Sequence, residues 1–140
     1  MTTFVYQASC LALRGRAVLI EGPPGTGKSA LALNLMDRGA ILIGDDGVTL
    51  ELRGGGLYAS PPPNTAGLLE VRNVGLLRFA TASNVRVALI IVLDPMAPRF
   101  VDAAEPAERC GVELPLIRLW PSESPPARKV ELSLERYGLA

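Results

Sequence analysis

The sequence predicts an α/β fold from the order of elements in its first third. Residues 17–21 form a near-continuous apolar run that is typical of a buried strand. Residues 22–27 are too rich in glycine and proline for regular structure, and helical spacing follows them at Leu31 and Leu35. A second apolar run comes next, at residues 41–43. Strand, loop, helix and strand in this order predict a sheet covered by helices.

The rest of the chain continues the alternation of apolar runs and breaks. Further apolar runs predict four strands, at residues 4–13, 48–52, 85–93 and 114–120. Glycine turns are expected at residues 14–16 and 54–56, and helices at residues 103–110 and 128–137. Residues 70–79 match neither the spacing of a helix nor the alternation of a strand clearly. Since 140 residues contain no repeat and no linker, we expect a single domain over residues 1–140.

The charge balance and the absence of histidine exclude several classes of function. Fourteen basic residues offset fourteen acidic ones, so no cationic field favours nucleic acid as a partner. Without histidine the chain cannot form a Ser-His-Asp triad, a Cys-His pair or a histidine-ligated zinc site. A general base must therefore be a carboxylate, a lysine, a cysteine or a tyrosine.

Three features predict a cytoplasmic protein without a membrane partner. Cys10 and Cys110 lie far apart in the sequence and are expected to be free thiols in a reducing compartment. The longest apolar run, residues 87–93, is much shorter than the ~20 residues that a membrane span needs. The first residues lack the basic stretch of a secretory signal.

Residues 22–29 match the phosphate-loop pattern G-x-x-x-x-G-K-[ST] in full. Glycines let backbone N–H groups curl around phosphate oxygens, and the helix that follows directs its positive end at the anion. Lys28 is expected to reach the β- and γ-phosphates, and the Ser29 hydroxyl to bind Mg²⁺. The predicted nucleotide-binding residues are Gly22, Pro23, Pro24, Gly25, Thr26, Gly27, Lys28 and Ser29.

An acid pair, Asp45 and Asp46, follows the strand after the loop's helix. Open α/β sheets bind their ligands at that edge, where a carboxylate can organise Mg²⁺ or act as a base. The alternative is a solvated Asp-Asp-Gly turn. Asp94, which also ends an apolar strand, is a rival organiser of the metal. Glu70 and Arg72 form a Glu-x-Arg pair that composition alone would assign to a solvated face.

Taken together, these motifs resemble the catalytic domain of HPr kinase/phosphorylase, the bacterial enzyme that phosphorylates a serine of the phosphocarrier HPr. The motifs are Ala-Ser-Cys at 8–10, the phosphate loop, Asp-Arg-Gly at 37–39, the acid pair, and Glu-Val-Arg-Asn-Val-Gly at 70–75. The chain looks most like the short alphaproteobacterial form, which lacks the N-terminal domain. The resemblance is strongest from residue 8 to residue 75. It implies an α/β P-loop kinase fold, a mixed sheet with flanking helices.

The resemblance also implies roles for individual residues. Asp46 matches the acid/base that accepts the serine proton in phosphorylation and returns one in dephosphorylation, and Asp45 is its neighbour. Glu70 matches a magnesium ligand, and Arg72 lies in the same motif with a catalytic role. Arg109, in Glu-Arg-Cys-Gly, resembles a downstream catalytic arginine.

The implied cofactors are ATP and Mg²⁺, with inorganic phosphate as co-substrate of the reverse reaction. The implied partner is HPr or a paralogue in a nitrogen-type phosphotransferase chain, and the implied assembly is a homohexamer.

Two positions depart from the family pattern. Gln7 stands where the family has a histidine before the Ala-Ser strand, and Asn73 stands where it has a glycine. Both bear on dephosphorylation more than on phosphorylation. The neutral amide of Gln7 cannot assist proton transfer as an imidazole does, and a side chain at Asn73 is expected to alter the approach of the backbone in the segment needed for both directions.

Three other functions compete with this interpretation. An ATPase of the AAA type favours the same loop, but that module is longer and carries an Asp-Glu pair after its strand. A small-molecule kinase would carry an arginine-rich lid, which the sequence does not suggest. A regulatory module would bind nucleotide and a partner without catalysis.

Overall fold

The computed structural model describes residues 2–140, which form eleven strands and two helices. The elements in chain order are β1 (Thr2–Tyr6), β2 (Ser9–Leu13), β3 (Arg16–Glu21), α1 (Lys28–Asp37), β4 (Ile41–Gly44), β5 (Val48–Arg53), β6 (Gly56–Ser60), β7 (Leu68–Val71), β8 (Gly75–Arg78), β9 (Val85–Leu93), β10 (Glu105–Arg109), β11 (Val112–Leu119) and α2 (Ala127–Tyr137).

Nine of these strands join one mixed sheet in the order β1-β5-β6-β9-β3-β2-β4, with β11 on β9 and β10 on β11. β3, β9 and β11 run parallel, and the other pairs of this sheet are antiparallel. β7 and β8 form a separate hairpin. No helix in the described residues is long and apolar enough to cross a bilayer.

The apolar run of β3 is continuous because both faces of the sheet are covered. Val18 and Ile20 pack in a core with the two helices, whereas Ala17 and Leu19 pack in a second core with β5, β6 and β11. Side chains that alternate between two buried faces must all be apolar. α1 contributes Leu31 to the helical core, as its spacing predicts.

The prediction of one strand over residues 4–13 is wrong, because the chain changes partners within it. β1 pairs with β5, and Tyr6 lies opposite Val48. After Gln7 and Ala8, β2 pairs with β3 and β4 instead. An uninterrupted apolar pattern carries no information about which neighbour each half meets, so the break could not be predicted from it.

The predicted helix at residues 103–110 is also wrong. Residues Glu105–Arg109 form β10, which pairs with β11 through a two-residue turn at Cys110 and Gly111. Both turn residues have positive φ, 51° and 82°, as a type I′ hairpin turn requires. Alanine and glutamate are good helix formers, but intrinsic helix propensity is only a weak preference, and cross-strand pairing outweighs it here. Pro106 is tolerated because β10 is an edge strand.

The glycine turn predicted at residues 54–56 connects β5 to β6, a strand that the sequence pattern did not predict. The ambiguous residues 70–79 lie mostly in the β7–β8 hairpin. The other predicted strands and the helix at residues 128–137 agree with the structure to within a few residues. At the site itself, β3 leads into the glycine-rich loop, α1 follows, and β4 ends at the acid pair.

Candidate active site

An open cleft of about 710 Å³ lies where the glycine-rich loop, β4 and the β7–β8 hairpin meet. It brings together most of the residues that the sequence singled out. The predicted site residues among those lining it are Pro24, Gly25, Gly27, Lys28, Ser29, Asp45, Asp46, Glu70 and Arg72. Ser9 of β2 also lines the cleft, and the sequence assigned it no role of its own. The one predicted catalytic residue that does not line this cleft is Arg109.

The loop has the backbone conformation that a phosphate cradle needs. Gly25 and Gly27 have φ of 80° and 93°, a left-handed region in which other residues are strained. The Thr26 hydroxyl donates a hydrogen bond of 2.8 Å to the Pro23 carbonyl, which closes the loop on itself. α1 begins at Lys28 without a side-chain cap and without an acidic residue in its first turn. Its first N–H groups are therefore suited to an anion.

Lys28 places its charge inside the loop. Its Nζ donates hydrogen bonds of 2.8 Å to the Gly22 carbonyl and 3.2 Å to the Pro23 carbonyl. The loop backbone thus holds the ammonium group beside the N-terminus of α1. The positive charge of Lys28 and the positive end of the helix dipole would both attract an anion bound in the loop.

Asp45 is fixed by two hydroxyl groups at the floor of the cleft. Ser29 Oγ donates to Asp45 Oδ1 at 2.9 Å, and Ser9 Oγ donates to the same oxygen at 3.1 Å. Burial raises the pKa of the Asp45 carboxyl above its usual value, and the charges of Asp46 and Glu70 raise it further. The two serine hydrogen bonds oppose this rise.

Asp46 differs from its neighbour in exposure and backbone conformation. It is exposed, and its φ of 59° lies in the left-handed region, which aspartate adopts more readily than most residues. Among residues 2–140, no side chain donates a hydrogen bond to the Asp46 carboxylate, whereas its backbone N–H donates to Ser9 Oγ at 3.3 Å. The acid pair therefore divides into a half-buried, hydrogen-bonded Asp45 and an exposed Asp46.

The β7–β8 hairpin supplies Glu70 and Arg72 to the opposite side of the cleft, and both are exposed. Asn73, at the family's glycine position, has a φ of 69°. Asparagine tolerates this left-handed conformation, so the departure from glycine preserves the hairpin turn. Gln7, the other departure, is exposed in the short connection between β1 and β2.

Arg109 lies at the tip of the β10–β11 hairpin and binds Glu21, the last residue before the glycine-rich loop. Its Nε and Nη2 donate to the two Glu21 carboxylate oxygens at 3.0 and 2.8 Å, and the Tyr6 hydroxyl donates to Oε2 at 2.6 Å. Burial and the Glu21 carboxylate raise the pKa of Tyr6 to about 12. Neither Tyr6 nor Glu21 was predicted from the sequence. For Glu21 the sequence does contain a signal, because an acidic residue that ends a buried strand directly before the glycine-rich loop must lie close to the cleft.

Asp94, the rival acid, is engaged elsewhere. One carboxylate oxygen accepts the Met96 backbone N–H at 2.8 Å, and the other accepts Arg118 Nη1 at 3.2 Å. It caps a turn and forms an ion pair, and it does not line the cleft.

The donors in the cleft fit a magnesium ion. The Ser29 hydroxyl and the carboxylates of Asp45 and Glu70 are the hard oxygen ligands that Mg²⁺ prefers. The charges of Asp46 and Glu70 raise the pKa of Asp45, and a cation would relieve this repulsion. Among residues 2–140, no three acidic, cysteine or histidine side chains are already grouped as metal ligands.

Comparison with known proteins identifies the family. Residues 2–94, more than half of the chain, match the family model described as HPr Serine kinase C-terminal domain. The chain belongs to this family. The resemblance that the sequence motifs predicted is confirmed, and the motifs from residue 8 to residue 75 lie within the matched residues.

Relatives named HPr kinase/phosphorylase match over part of their length. The protein from Streptococcus thermophilus (strain CNRZ 1066) is 37% identical over 118 residues, covering 75% of this chain and 38% of the relative. The protein from Brevibacillus brevis is 33% identical over 119 residues, covering 79% and 37%. The protein from Clostridium tetani is 44% identical over 63 residues, covering 45% and 21%. The chain thus spans less than two fifths of these relatives' length.

A solved structure confirms the predicted fold class. The structure described as the Hpr(Ser) kinase/phosphatase from Coxiella burnetii superposes with a TM-score of 0.81 at 25% identity. The match covers 95% of this chain and 88% of that chain. The similarity therefore extends beyond residue 94 to include most of the C-terminal part.

Proposed function

We propose that this domain transfers the γ-phosphoryl group of ATP to a serine of the phosphocarrier HPr or of a paralogue. The observation that carries the proposal is the exposed Asp46, which stands in the phosphate-loop cleft beside a hydrogen-bonded Asp45. The names of the relatives support the substrate, and the loop supports ATP.

Asp46 acts as the general base in the proposed reaction. As the acceptor serine approaches, its proton passes to the Asp46 carboxylate, the serine Oγ–phosphorus bond forms, and the bond to the ADP oxygen breaks. Lys28 and the first N–H groups of α1 stabilise the charge on the moving phosphoryl group. Magnesium, held by Ser29 with Asp45 or Glu70, would neutralise phosphate charge.

The reverse reaction belongs to the same proposal. An oxygen of inorganic phosphate attacks the phosphorus of the phosphoserine. As the new phosphorus–oxygen bond forms, the bond from phosphorus to the serine Oγ breaks, Asp46 returns the proton to that Oγ, and pyrophosphate is released as the product. The left-handed Asn73 supports an intact hairpin for this step, whereas Gln7 supplies no titratable group. We further propose a cytoplasmic homohexamer, which light scattering of the purified protein would test.

The decisive experiment incubates the purified protein with ATP, Mg²⁺ and the phosphocarrier from the same genome, and measures the intact mass of the carrier. We expect the carrier to gain one phosphoryl group, and excess phosphate to remove it with release of pyrophosphate. Asp46→Asn is expected to lower the transfer rate by about 10²–10⁴-fold, the range for a general base, with nucleotide affinity retained.

The result also separates the competing functions. Nucleotide binding without transfer to any carrier would favour a regulatory module. Transfer to a nucleoside or metabolite would favour a small-molecule kinase.

A further inference from the structure

Ser9 connects the two acids of the pair through a single hydroxyl group. Its Oγ donates a hydrogen bond to Asp45 Oδ1 at 3.1 Å and accepts one from the Asp46 backbone N–H at 3.3 Å. One side chain therefore contacts the carboxylate of the first acid and the backbone of the second.

The position of Ser9 makes this contact firm. Ser9 begins β2, between β3 and β4, and is only 1% exposed. Cys10, its neighbour in β2, lies opposite Gly44, which ends β4 directly before Asp45. The sheet thus fixes the distance between the Ser9 hydroxyl and the turn that carries both acids.

The backbone of the acid pair needs such a contact. Asp46 has a φ of 59°, a left-handed conformation that is strained for most residues and persists where the surrounding structure maintains it. Gly44 approaches Gly47 so closely that a Cβ would overlap the Gly47 carbonyl. The turn is tight, and the Ser9 hydroxyl is the side-chain group that holds the Asp46 N–H within it.

We propose that Ser9 is a positioning residue that holds Asp46 in its catalytic conformation while it orients Asp45. The inference rests on the proposed function, because it assigns to Ser9 an effect on the base of that reaction. Within residues 2–140 the Lys28 ammonium bonds to loop carbonyls and not to Ser9, so we expect the effect of Ser9 to fall on the transfer step and to leave nucleotide binding in place. The buried serine that begins β2 thus belongs to the site and does not serve packing alone.

The test compares Ser9→Ala with two matched variants. Ser9→Thr keeps the hydroxyl group. Ser133→Ala is the control, because Ser133 is the other buried serine of the described residues and bonds only to the Lys129 carbonyl in α2. For Ser9→Ala we expect kcat to fall about 10- to 100-fold, with the dissociation constant for ATP unchanged within twofold. Ser9→Thr is expected to recover most of kcat, and Ser133→Ala to retain it.

A second measurement does not depend on catalysis. Hydrogen exchange of the Asp46 amide, followed by NMR, is expected to be at least ~10-fold faster in Ser9→Ala than in the wild type, because the amide loses its acceptor. The Asp46 amide in Ser133→Ala is expected to exchange at the wild-type rate.

The outcomes separate this inference from the proposed function. Unchanged kcat or unchanged amide exchange in Ser9→Ala overturns the positioning role. If Ser9→Ala lowers the affinity for ATP and the melting temperature together with kcat, the positioning role is also overturned, in favour of a structural role. A wild type that transfers nothing overturns the proposed function, and the amide exchange then still decides whether Ser9 holds Asp46.

Discussion

The floor and the rim of the cleft differ in how firmly their side chains are held. On the floor, Ser9, Ser29 and Asp45 share hydrogen bonds of 2.9–3.1 Å, and Ser9 is buried in the sheet. On the rim, the whole of β8 is exposed, and Val74 in the turn is 66% exposed. Hydrogen bonds hold the side chains of the floor in place, whereas the rim remains open.

This difference follows from how each part is built. The floor is attached to the large sheet: Ser9 begins β2, Asp45 directly follows β4, and Ser29 lies in the first turn of α1, which packs on the sheet. The rim is a two-stranded hairpin outside that sheet, and an isolated hairpin has little stability of its own. Within the proposed function, a protein acceptor needs such an accessible edge, because its serine must reach Asp46.

The largest of the following effects is expected in the glycine-rich loop beside the floor, in Lys28→Ala. Removal of the ammonium group that the loop carbonyls hold should lower the rate of phosphoryl transfer by at least about 10²–10³-fold, the effect of losing one transition-state donor. Steady-state kinetics with ATP would measure it. Lys129→Ala, which changes an exposed lysine on α2, is the control and should leave the rate unchanged. Equal losses in both variants would contradict a specific role for the loop lysine.

A smaller effect is expected from the rim, in Arg72→Ala. An exposed arginine of the hairpin contacts neither the loop nor the acid pair through hydrogen bonds within residues 2–140, so it should act on the acceptor. We expect about a tenfold rise in the KM for the phosphocarrier, as loss of one charged hydrogen bond gives, with the KM for ATP unchanged. Arg99→Ala, an exposed arginine outside the cleft, is the control. A rise in the KM for ATP alone would assign Arg72 to the nucleotide.

The smallest effect concerns stability, in Asp45→Asn. Burial and two nearby acids raise the pKa of Asp45, so the folded state binds its proton more tightly than the unfolded state does. The free energy of unfolding should therefore fall as pH rises from about 4 through the folded pKa. Asparagine removes this dependence and can still accept both serine hydrogen bonds.

We expect Asp45→Asn to raise the melting temperature at pH 7 above that of the wild type, because the variant carries no charge at this half-buried position. Activity should fall at the same time, as at other sites where function requires a destabilising charge. Thermal melts from pH 4 to pH 8 would show the two proteins converging at the acid end. Asp102→Asn, at an exposed position, should leave the curve unchanged, and a lower melting temperature for Asp45→Asn would contradict the argument.

Local sequence was sufficient where a feature depends on neighbours along the chain. The glycine pattern of residues 22–29 predicted the loop, and the structure shows left-handed backbone at Gly25 and Gly27. The leucine spacing predicted α1, and residues 128–137 predicted α2 to within one residue. Backbone conformation and helical amphipathicity are short-range properties, so they are visible in a single sequence.

The sequence did not reveal which strands pair with one another in the sheet. The pattern of residues 4–13 gave no reason to divide β1 from β2, and residues 103–110 suggested a helix where β10 lies. The salt bridge between Glu21 and Arg109 joins residues that are 88 positions apart. Because of it, Arg109 lies at the end of β3 and does not line the cleft. Such long-range pairings are decided by the packing of the whole sheet.

The sequence by itself determined the phosphate loop, the order of loop, helix and acid pair, and through them the family. It did so because a glycine-rich turn between a strand and a helix is a local backbone requirement. Only the tertiary structure decided that Asp45 is held and Asp46 is exposed, and that Ser9 bonds to both. Ser9 and the acid pair lie more than thirty residues apart, and the sheet alone brings β2 beside β4.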